Sequence, residues 1–186
     1  MNIIIKCILL PLVFLLSGCT GVPDGVTPVS DFDLDRYLGK WYEVARLDHS
    51  FERGLSHVTA TYSKREDGGV KVINRGYDSK NEKWKQAEGK AYPVAEPTDG
   101  RLKVSFFGPF YGGYNIIALD SKNYRYSLVS GPNRSYLWIL SRTPQMEPGL
   151  LGRLVELAAR LGFDTRRLIY VDHTIDMALN RNGDQW

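Results

Sequence analysis

Cysteine, histidine and an excess of either charge are scarce in this chain. Its 186 residues include two cysteines and three histidines, so no disulfide framework or cysteine-rich metal site is predicted. Lys and Arg number 24 against 21 Asp and Glu, for a net charge of +3. This balance lacks the strong basic surplus typical of nucleic-acid binding, so no nucleic-acid partner is expected. No apolar run approaches the roughly 20 residues that a membrane-spanning helix needs.

The polar residues show no catalytic or metal-binding pattern. His49, His57 and His173 are far apart and have no metal-ligand spacing. We therefore predict no metal and no other cofactor, and we expect each histidine to lie in a solvated loop. Glu52 and Arg53 are interpreted as capping or surface charges. A G-x-S-x-G elbow and a phosphate loop are both missing, so the chain is predicted not to be an enzyme.

An apolar segment does open the chain. Lys6 precedes a run from Cys7 to Leu16, which at about ten residues has the length of a secretory signal core. We predict that residues 1–18 are a signal peptide and take no part in the fold.

Residues 16–19 (LSGC) resemble the lipobox of bacterial lipoproteins. The resemblance implies cleavage before Cys19 and acylation of Cys19, with palmitate among the expected chains. Two or three acyl chains anchor a protein firmly, whereas one chain is marginal. Thr20 stands where Asp would retain a lipoprotein in the inner membrane, which implies export to the outer membrane. The mature domain would then contain no free thiol.

Three further segments follow from composition. Residues 19–30 are rich in Gly, Pro, Ser and Thr and are predicted to be a lipidated tether without regular structure. Fully extended, such a tether would reach roughly 35 Å. Residues 31–171 form the predicted domain. Residues 172–186 form a tail to which we assign no role.

The domain is dominated by short runs rich in Val, Ile, Tyr, Phe and Trp, separated by Gly, Asp and Asn turns. No helix-length segment separates these runs, so hairpin connections and an antiparallel sheet are expected. An all-β, eight-stranded up-and-down barrel fits this pattern, and a two-sheet sandwich is the alternative. The predicted strands are Gly39–Leu47, Val58–Lys64, Gly69–Tyr77, Trp84–Pro93, Arg101–Phe107, Tyr114–Leu119, Tyr124–Ser130 and Tyr136–Arg142.

After the eighth strand the periodicity changes to that of a helix, about 147–162. Pro148 suits its first turn and Gly162 its C-terminal end. Its leucines and Ala158 form one apolar stripe, which predicts packing on the outside of the barrel. A short strand, Leu168–Val171, is expected to follow.

Two motifs carry a family resemblance. Residues 39–43 (GKWYE) resemble the G-x-W-Y signature of lipocalins, and Arg142 stands at the end of the eighth strand, where lipocalins place an arginine. Residues 48–54 (DHSFERG) and 106–114 (FFGPFYGGY) resemble the bacterial outer-membrane lipoprotein lipocalins, kin of apolipoprotein D. The resemblance implies that Gly39, Trp41 and Arg142 close the barrel base, with the Arg142 cation over the indole ring.

Alternation along the strands predicts which side chains face a ligand cavity. Asn74 and Asn115 would be polar points in a mostly apolar lining. The exposed aromatic residues Phe107, Phe110 and Tyr111 are expected at the open mouth, where a membrane, a second copy in a homodimer or the loop itself would cover them. The predicted cavity residues are Ala60, Tyr62, Val72, Asn74, Val104, Phe106, Asn115, Ile117, Tyr136 and Trp138.

These features predict a lipid-anchored protein of the outer membrane that binds a single-chain lipid, a fatty acid or a lysophospholipid. The family resemblance implies storage or transport of lipid for envelope maintenance. Two alternatives remain open: an enzyme acting on a lipid-like substrate, and a structural envelope protein with a filled barrel.

Overall fold

The structure is a computed structural model that describes residues 20–94 and 98–174. The predicted signal peptide, the predicted lipidation site Cys19 and residues 175–186 of the predicted tail lie outside the described residues. Within the described ranges, no helix is both long and apolar enough to cross a bilayer.

In the part of the chain that the structure describes, a short helix, α1 (Leu34–Tyr37), is followed by nine antiparallel strands. Strands β1 to β7 each pair with the next strand in sequence, and β8 pairs with β1. The predicted eight-stranded up-and-down barrel is confirmed. The alternative, a two-sheet sandwich, is wrong because the pairing of β1 with β8 closes the sheet into a ring. The strands are β1 Gly39–Leu47, β2 Leu55–Lys64, β3 Val70–Asp78, β4 Lys83–Pro93, β5 Arg101–Phe107, β6 Phe110–Leu119, β7 Tyr126–Ser130, β8 Leu137–Ser141 and β9 Leu168–Tyr170.

Strand β1 changes partner halfway along its length. Residues Gly39–Tyr42 pair with β2, whereas Ala45–Leu47 pair with β9. Just beyond β9, the carbonyl of Asp172 accepts a hydrogen bond from the amide of His57 in β2. The start of the predicted tail therefore fills the space between β1 and β2 and forms part of the barrel wall.

Strand boundaries differ from the predicted ones next to irregular backbone. His57 has a φ of +54° and interrupts the register of β2, which begins at Leu55 instead of Val58. Tyr124 also has a φ of +54° and stays in a turn, so β7 begins two residues later than predicted. Strand β6 begins at Phe110 and forms a long hairpin with β5. Such local irregularities leave no mark on an apolar–polar alternation pattern.

Helix α2 spans Pro148–Arg160 and lies on the outside of the barrel. The Glu147 carboxylate accepts hydrogen bonds from the amides of Gly149 and Leu150, at 2.8 and 2.7 Å, and so caps the first turn. Gly162, with a φ of +85°, follows the C-terminal end. The predicted apolar stripe packs on outward-facing residues of the strands, in a cluster that includes Ala45, Ile117, Leu128, Leu137, Ile139, Leu154 and Ala158.

The segment predicted to be a free tether is docked on the barrel along residues 20–30. It contains no helix or strand, but Val26 is buried in the cluster beneath α2. The amide of Val29 donates to the carbonyl of Ile116 at 2.9 Å, and its carbonyl accepts from Gly100 at 2.9 Å. A free reach of roughly 35 Å is therefore wrong for these residues, because their backbone and side chains are held by the barrel wall.

Candidate ligand-binding cavity

The barrel encloses a cavity of about 630 Å³, which is within the range of small-molecule sites. The opening lies among the β1–β2, β3–β4, β5–β6 and β7–β8 loops, and α1 lies at the opposite, closed end. Inward-facing apolar side chains of most strands supply the bulk of the lining: Leu55, Val58, Ala60, Val72, Ala87, Ala91, Leu102, Val104, Phe106 and Leu140.

The closed end is built around Trp41. The Arg142 guanidinium lies 3.9 Å from the centre of the indole ring and donates hydrogen bonds to the carbonyls of Lys40 and Arg36, at 3.0 and 2.8 Å. The indole N–H donates to the carbonyl of Tyr37 at 2.8 Å. Gly39 has a φ of +94°, and a Cβ there would lie 3.3 Å from the guanidinium. These contacts bury the Trp41 ring completely and close the base of the barrel.

Three tyrosine hydroxyls form the floor above this base. The hydroxyl of Tyr114 lies 2.7 Å from that of Tyr37 and 2.9 Å from that of Tyr62. Burial raises the pKa of Tyr37 to about 12 and raises the pKa values of Tyr62 and Tyr114 well above their ordinary value. The floor is therefore uncharged, and its polar atoms bond to one another.

Two carboxyl groups face the cavity from β1 and the β1–β2 loop. Glu43 and Glu52 are only 3% and 5% exposed. Behind Glu43 lies Arg46, whose Nη1 is 2.5 Å from the Glu43 carboxylate and whose Nη2 donates to the backbone carbonyl of Glu52 at 2.8 Å. Glu52 lies 3.0 Å from the His49 ring and accepts a 3.1 Å hydrogen bond from the Trp138 indole N–H. We call Glu43, Arg46, His49 and Glu52 the buried charge cluster.

The two carboxyl groups differ in their affinity for a proton. Burial and the nearby Glu52 charge raise the pKa of Glu43 well above its ordinary value, and the contact with Arg46 only partly opposes them. Burial also raises the pKa of Glu52, but the hydrogen bond and charge of His49 outweigh it and lower this pKa overall. Glu43 therefore binds a proton more tightly than Glu52 does.

The predicted exposure of the histidines and of Glu52 is wrong. His49, His57 and His173 are 5%, 1% and 6% exposed, and Glu52 is buried as described. His173 contacts the carbonyl of Glu43 through its Nε2, at 2.9 Å. Their burial depends on loop and tail packing that no local pattern encodes. Among residues 20–94 and 98–174, no three acidic or histidine side chains gather where they could hold a metal ion.

The mouth of the cavity carries exposed aromatic rings. Phe107 and Phe110, at the tip of the β5–β6 hairpin, are 79% and 67% exposed, and Phe51 in the β1–β2 loop is 56% exposed. Tyr111 is half-buried, with the ammonium of Lys103 5.2 Å from its ring centre. All four rings line the opening.

Eight of the ten predicted cavity residues line the cavity, and their role in binding stays a prediction: Ala60, Tyr62, Val72, Asn74, Val104, Phe106, Tyr136 and Trp138. The Oδ1 atom of Asn74 is buried without a hydrogen-bond partner among the described residues.

The inward orientation predicted for Asn115 and Ile117 is wrong. Asn115 donates to the carbonyls of Gly21 and Gly131, and Ile117 packs in the cluster with α2. Tyr114 instead lines the cavity, and Ile116 joins the interior cluster around Trp41. The outer face of β6 is covered by the N-terminal segment and α2, so both faces of this strand are apolar. Alternation therefore does not indicate which of its side chains point into the barrel.

Sequence reasoning also missed the buried charge cluster. Glu43 follows Trp41 by two residues, so the alternation used on other strands would have placed it inward. For Arg46 the same rule fails, because the pairing of β1 with β8 shifts register between Glu43 and Ala45. Glu52 lies in a loop, where no periodicity applies.

A closed antiparallel barrel with one apolar cavity, a sealed base and an external helix defines the class of small-ligand-binding barrels called lipocalins. Residues 32–173 match the family described as "Lipocalin-like domain". The chain belongs to the lipocalin family.

Several relatives cover most of the chain. It is 64% identical to the outer membrane lipoprotein Blc of Vibrio cholerae, over 84% of this chain and 92% of that protein. It is 56% identical to the outer membrane lipoprotein Blc of Escherichia coli, over 88% and 96%. Apolipoprotein D of Bos taurus is 33% identical over 78% of this chain and 79% of its own. Insecticyanin from the tobacco hornworm Manduca sexta has the same fold, with a TM-score of 0.66, 22% identity and coverage of 83% and 87%.

Proposed function

We propose that this protein binds a single-chain lipid, a fatty acid or a lysophospholipid, and stores or transports it to maintain the cell envelope. The observation that carries the proposal is the apolar cavity of about 630 Å³ with one open end. An acyl chain entering it would leave water, which contributes about 0.8 kcal/mol for each buried methylene. A cavity of this size also argues against a structural protein with a filled barrel.

The polar groups of the site support a lipid with a polar head. Glu43 and Glu52 line one wall, and Asn74 faces the cavity from β3. The sealed base and the neutral tyrosine floor offer no charge to a ligand. This distribution of polar groups fits a lipid whose acyl chain ends at the tyrosine floor and whose polar head lies near the buried charge cluster or the mouth.

We propose further that Cys19 carries the acyl groups that anchor the protein in the outer membrane, after removal of residues 1–18. The support is the lipobox-like string at 16–19 and two relatives named outer membrane lipoprotein. The barrel begins close behind this site, so cavity and anchor belong to one small unit.

Lipid binding is tested on the mature protein after removal of any lipid bound in the cavity. The protein is titrated with a fluorescent fatty acid, which is then displaced with a lysophospholipid. We expect saturable binding at one site. Ala60→Trp should fill the cavity and weaken binding at least tenfold. The adjacent Thr61→Trp, on the opposite face of β2, should bind like the unmodified protein. Equal binding by both variants would contradict a cavity site.

One observation favours a second function, an enzyme acting on a lipid-like substrate. Glu43 and Glu52 face the cavity with pKa values shifted in opposite directions, as in many acid–base pairs. Incubation with lysophospholipids and analysis of products by mass spectrometry tests this. Turnover that is lost in Glu52→Gln would establish that the protein is an enzyme. A ligand that is still intact after prolonged incubation would reject the enzyme and favour the lipid carrier.

A further inference from the structure

Asn74 is a polar side chain in the apolar middle of the cavity wall. It lies in β3, and its neighbours in register are Ala60 of β2 and Ala87 of β4. Both alanines also line the cavity, and so does Val72, two residues away on the same face of β3. Because an alanine side chain ends at Cβ, neither neighbouring alanine offers the carboxamide of Asn74 a hydrogen bond or reaches across it.

The carboxamide of Asn74 has hydrogen-bonding capacity that the chain does not use. Its Oδ1 is buried and has no hydrogen-bond partner within residues 20–94 and 98–174. Buried polar atoms in proteins are almost always paired, so an unpaired one in a cavity wall needs an explanation. The χ2 torsion of asparagine has a broad, roughly two-fold distribution. The side chain can therefore turn its oxygen toward the cavity without breaking a hydrogen bond of Oδ1 to the described part of the chain.

The tyrosine floor and the buried charge cluster differ from Asn74 in this respect. The hydroxyls of the floor bond to one another, at 2.7 and 2.9 Å. The carboxyl groups of the cluster contact Arg46, His49 and Trp138. A ligand that offers a hydrogen bond to these groups has to compete with partners already in place. At Oδ1 of Asn74, no partner among the described residues competes with the ligand.

Asn74 lies nearer to the floor of the cavity than to its mouth. Four residues separate it from Asp78, the last residue of β3 at the open end, which corresponds to roughly 13 Å along a strand. In the other direction, Val72 pairs with Tyr62 of the floor and is two residues away, or roughly 7 Å. In an extended acyl chain that ends at the floor, the inner half would therefore pass Asn74.

The effect of this side chain on affinity depends on what the ligand brings to it. A plain acyl chain displaces water from the cavity and leaves the carboxamide without a partner, which weakens binding. A chain with a hydroxyl group replaces the lost hydrogen bond, and because a hydroxyl both donates and accepts, it matches either orientation of the carboxamide. A site that hydrogen-bonds a ligand hydroxyl rejects the analogue without it far more strongly than an apolar pocket can.

We propose that Asn74 makes the cavity selective for single-chain lipids that carry a hydroxyl group on the buried part of the molecule. The inference rests on the proposed lipid binding and adds the class of lipid. The depth of Asn74 favours a hydroxyl on the acyl chain, as in a hydroxy fatty acid. The free glycerol hydroxyl of a lysophospholipid has the same chemistry, and it would reach Asn74 only if the head entered well below the mouth.

Displacement of a fluorescent fatty acid from the mature protein measures this selectivity. One pair of ligands is stearic acid and stearic acid hydroxylated near the middle of its chain. The other pair is a lysophospholipid and its analogue that lacks the glycerol hydroxyl. We expect the hydroxylated stearic acid to bind at least tenfold more tightly than stearic acid. A preference confined to the lysophospholipid pair would identify the glycerol hydroxyl as the group recognised, and no preference in either pair would overturn the proposal.

Two variants assign the preference to Asn74. Asn74→Leu has a side chain of similar size without a hydrogen-bonding group, so the preference should reverse, because a hydroxyl buried without a partner costs free energy. Thr61→Leu makes a polar-to-apolar change on the outer face of β2 and should retain the preference of the unmodified protein. A preference of unchanged size in Asn74→Leu would overturn the role of Asn74.

Nuclear magnetic resonance gives a measurement on the unmodified chain. The side-chain amide resonances of Asn74 should shift when the hydroxylated acid binds and much less when stearic acid binds, and equal shifts would overturn a direct hydrogen bond. Failure of lipid binding itself has a different result. If no ligand displaces the probe in a saturable manner, the proposed function is wrong and this inference falls with it. Equal, saturable binding of all four ligands leaves the proposed function intact and overturns the selectivity alone.

Discussion

The two ends of the barrel differ in how their polar groups are satisfied. At the closed end, Arg142 and Trp41 bond to backbone carbonyls of the chain itself, and the tyrosine hydroxyls bond to one another. At the open end, the buried charge cluster borders the cavity and aromatic rings face outward. One end therefore has the properties of a protein core, and the other has those of a binding site.

This difference shows that the groups that stabilise the fold and the groups available to a ligand lie at opposite ends of the barrel. Groups that are fully bonded within the chain hold the barrel shut and gain nothing from a ligand. In the cavity wall, Glu43 and Glu52 have pKa values shifted in opposite directions, because burial and neighbouring charges act on them together. Substitutions at the two ends should accordingly affect different measurements.

The largest expected effect comes from Trp41→Ala. Loss of this fully buried ring at the closed end should lower the free energy of unfolding by about 3–5 kcal/mol. The measurement is urea unfolding followed by circular dichroism. Trp138→Ala, at the open end, is the counterpart: its ring borders an existing cavity, so stability should fall less, while fatty-acid affinity falls at least tenfold. The comparison of the two ends fails if both variants lose stability equally and bind equally.

Arg142→Lys should destabilise the protein by about 1.5–3 kcal/mol. A lysine retains the charge but cannot cover the indole face and donate to several carbonyls at once. Arg125→Lys, at an ion pair with Asp120 in which the arginine side chain is 70% exposed, is the control and should cost less than about 1 kcal/mol. Unfolding midpoints in urea give both values, and equal losses would show that the closed end does not depend on the shape of the guanidinium.

The open end should make stability depend on pH. The pKa of Glu43 is raised in the folded chain, so above its ordinary value of 4.5 the folded state binds more protons than the unfolded state. The free energy of unfolding should therefore fall as pH rises from 4.5 toward the folded pKa, by up to about 1.4 kcal/mol per pH unit.

Glu43→Gln should remove this dependence because the amide does not titrate, whereas Glu66→Gln, at an exposed position, should leave it in place. Urea unfolding at pH 5, 6 and 7 measures the slopes. A slope that persists in Glu43→Gln would assign the effect to another group. Tyr37, with a pKa of about 12, contributes nothing in this interval.

The smallest effect is expected for Tyr37→Phe. Removing one hydroxyl from the floor deletes the hydrogen bond to Tyr114 and should cost about 1 kcal/mol. Because Tyr37 does not line the cavity, ligand affinity should not change. A tenfold weaker affinity would mean that the Tyr37 hydroxyl takes part in binding.

Much of the fold could be predicted from the sequence. The strand order and the position of α2 follow from periodicity and turn residues, which act over a few neighbouring positions. The G-x-W-Y string and Arg142 pointed to the closed end through a family resemblance. Eight of ten cavity residues were placed correctly, since alternation fixes the facing of a strand once one side is apolar and the other polar.

The errors share a physical cause. Asn115 and Ile117 lie on a strand that is covered on both faces, and Arg46 follows a register shift, so the period of two carries no information there. The burial of Glu52 and His173 depends on a loop and a tail that return to the barrel from far along the chain. Such contacts are set by packing and not by neighbouring residues.

The sequence by itself determined an all-β domain, the helix that follows its eighth strand and the candidate lipidation site at Cys19, because each depends on local spacing and residue type. Only the tertiary structure decided which carboxyl groups meet in the cavity wall and that the presumed tether lies on the barrel. Those facts depend on free energies shared among distant segments, which come together only when the barrel closes.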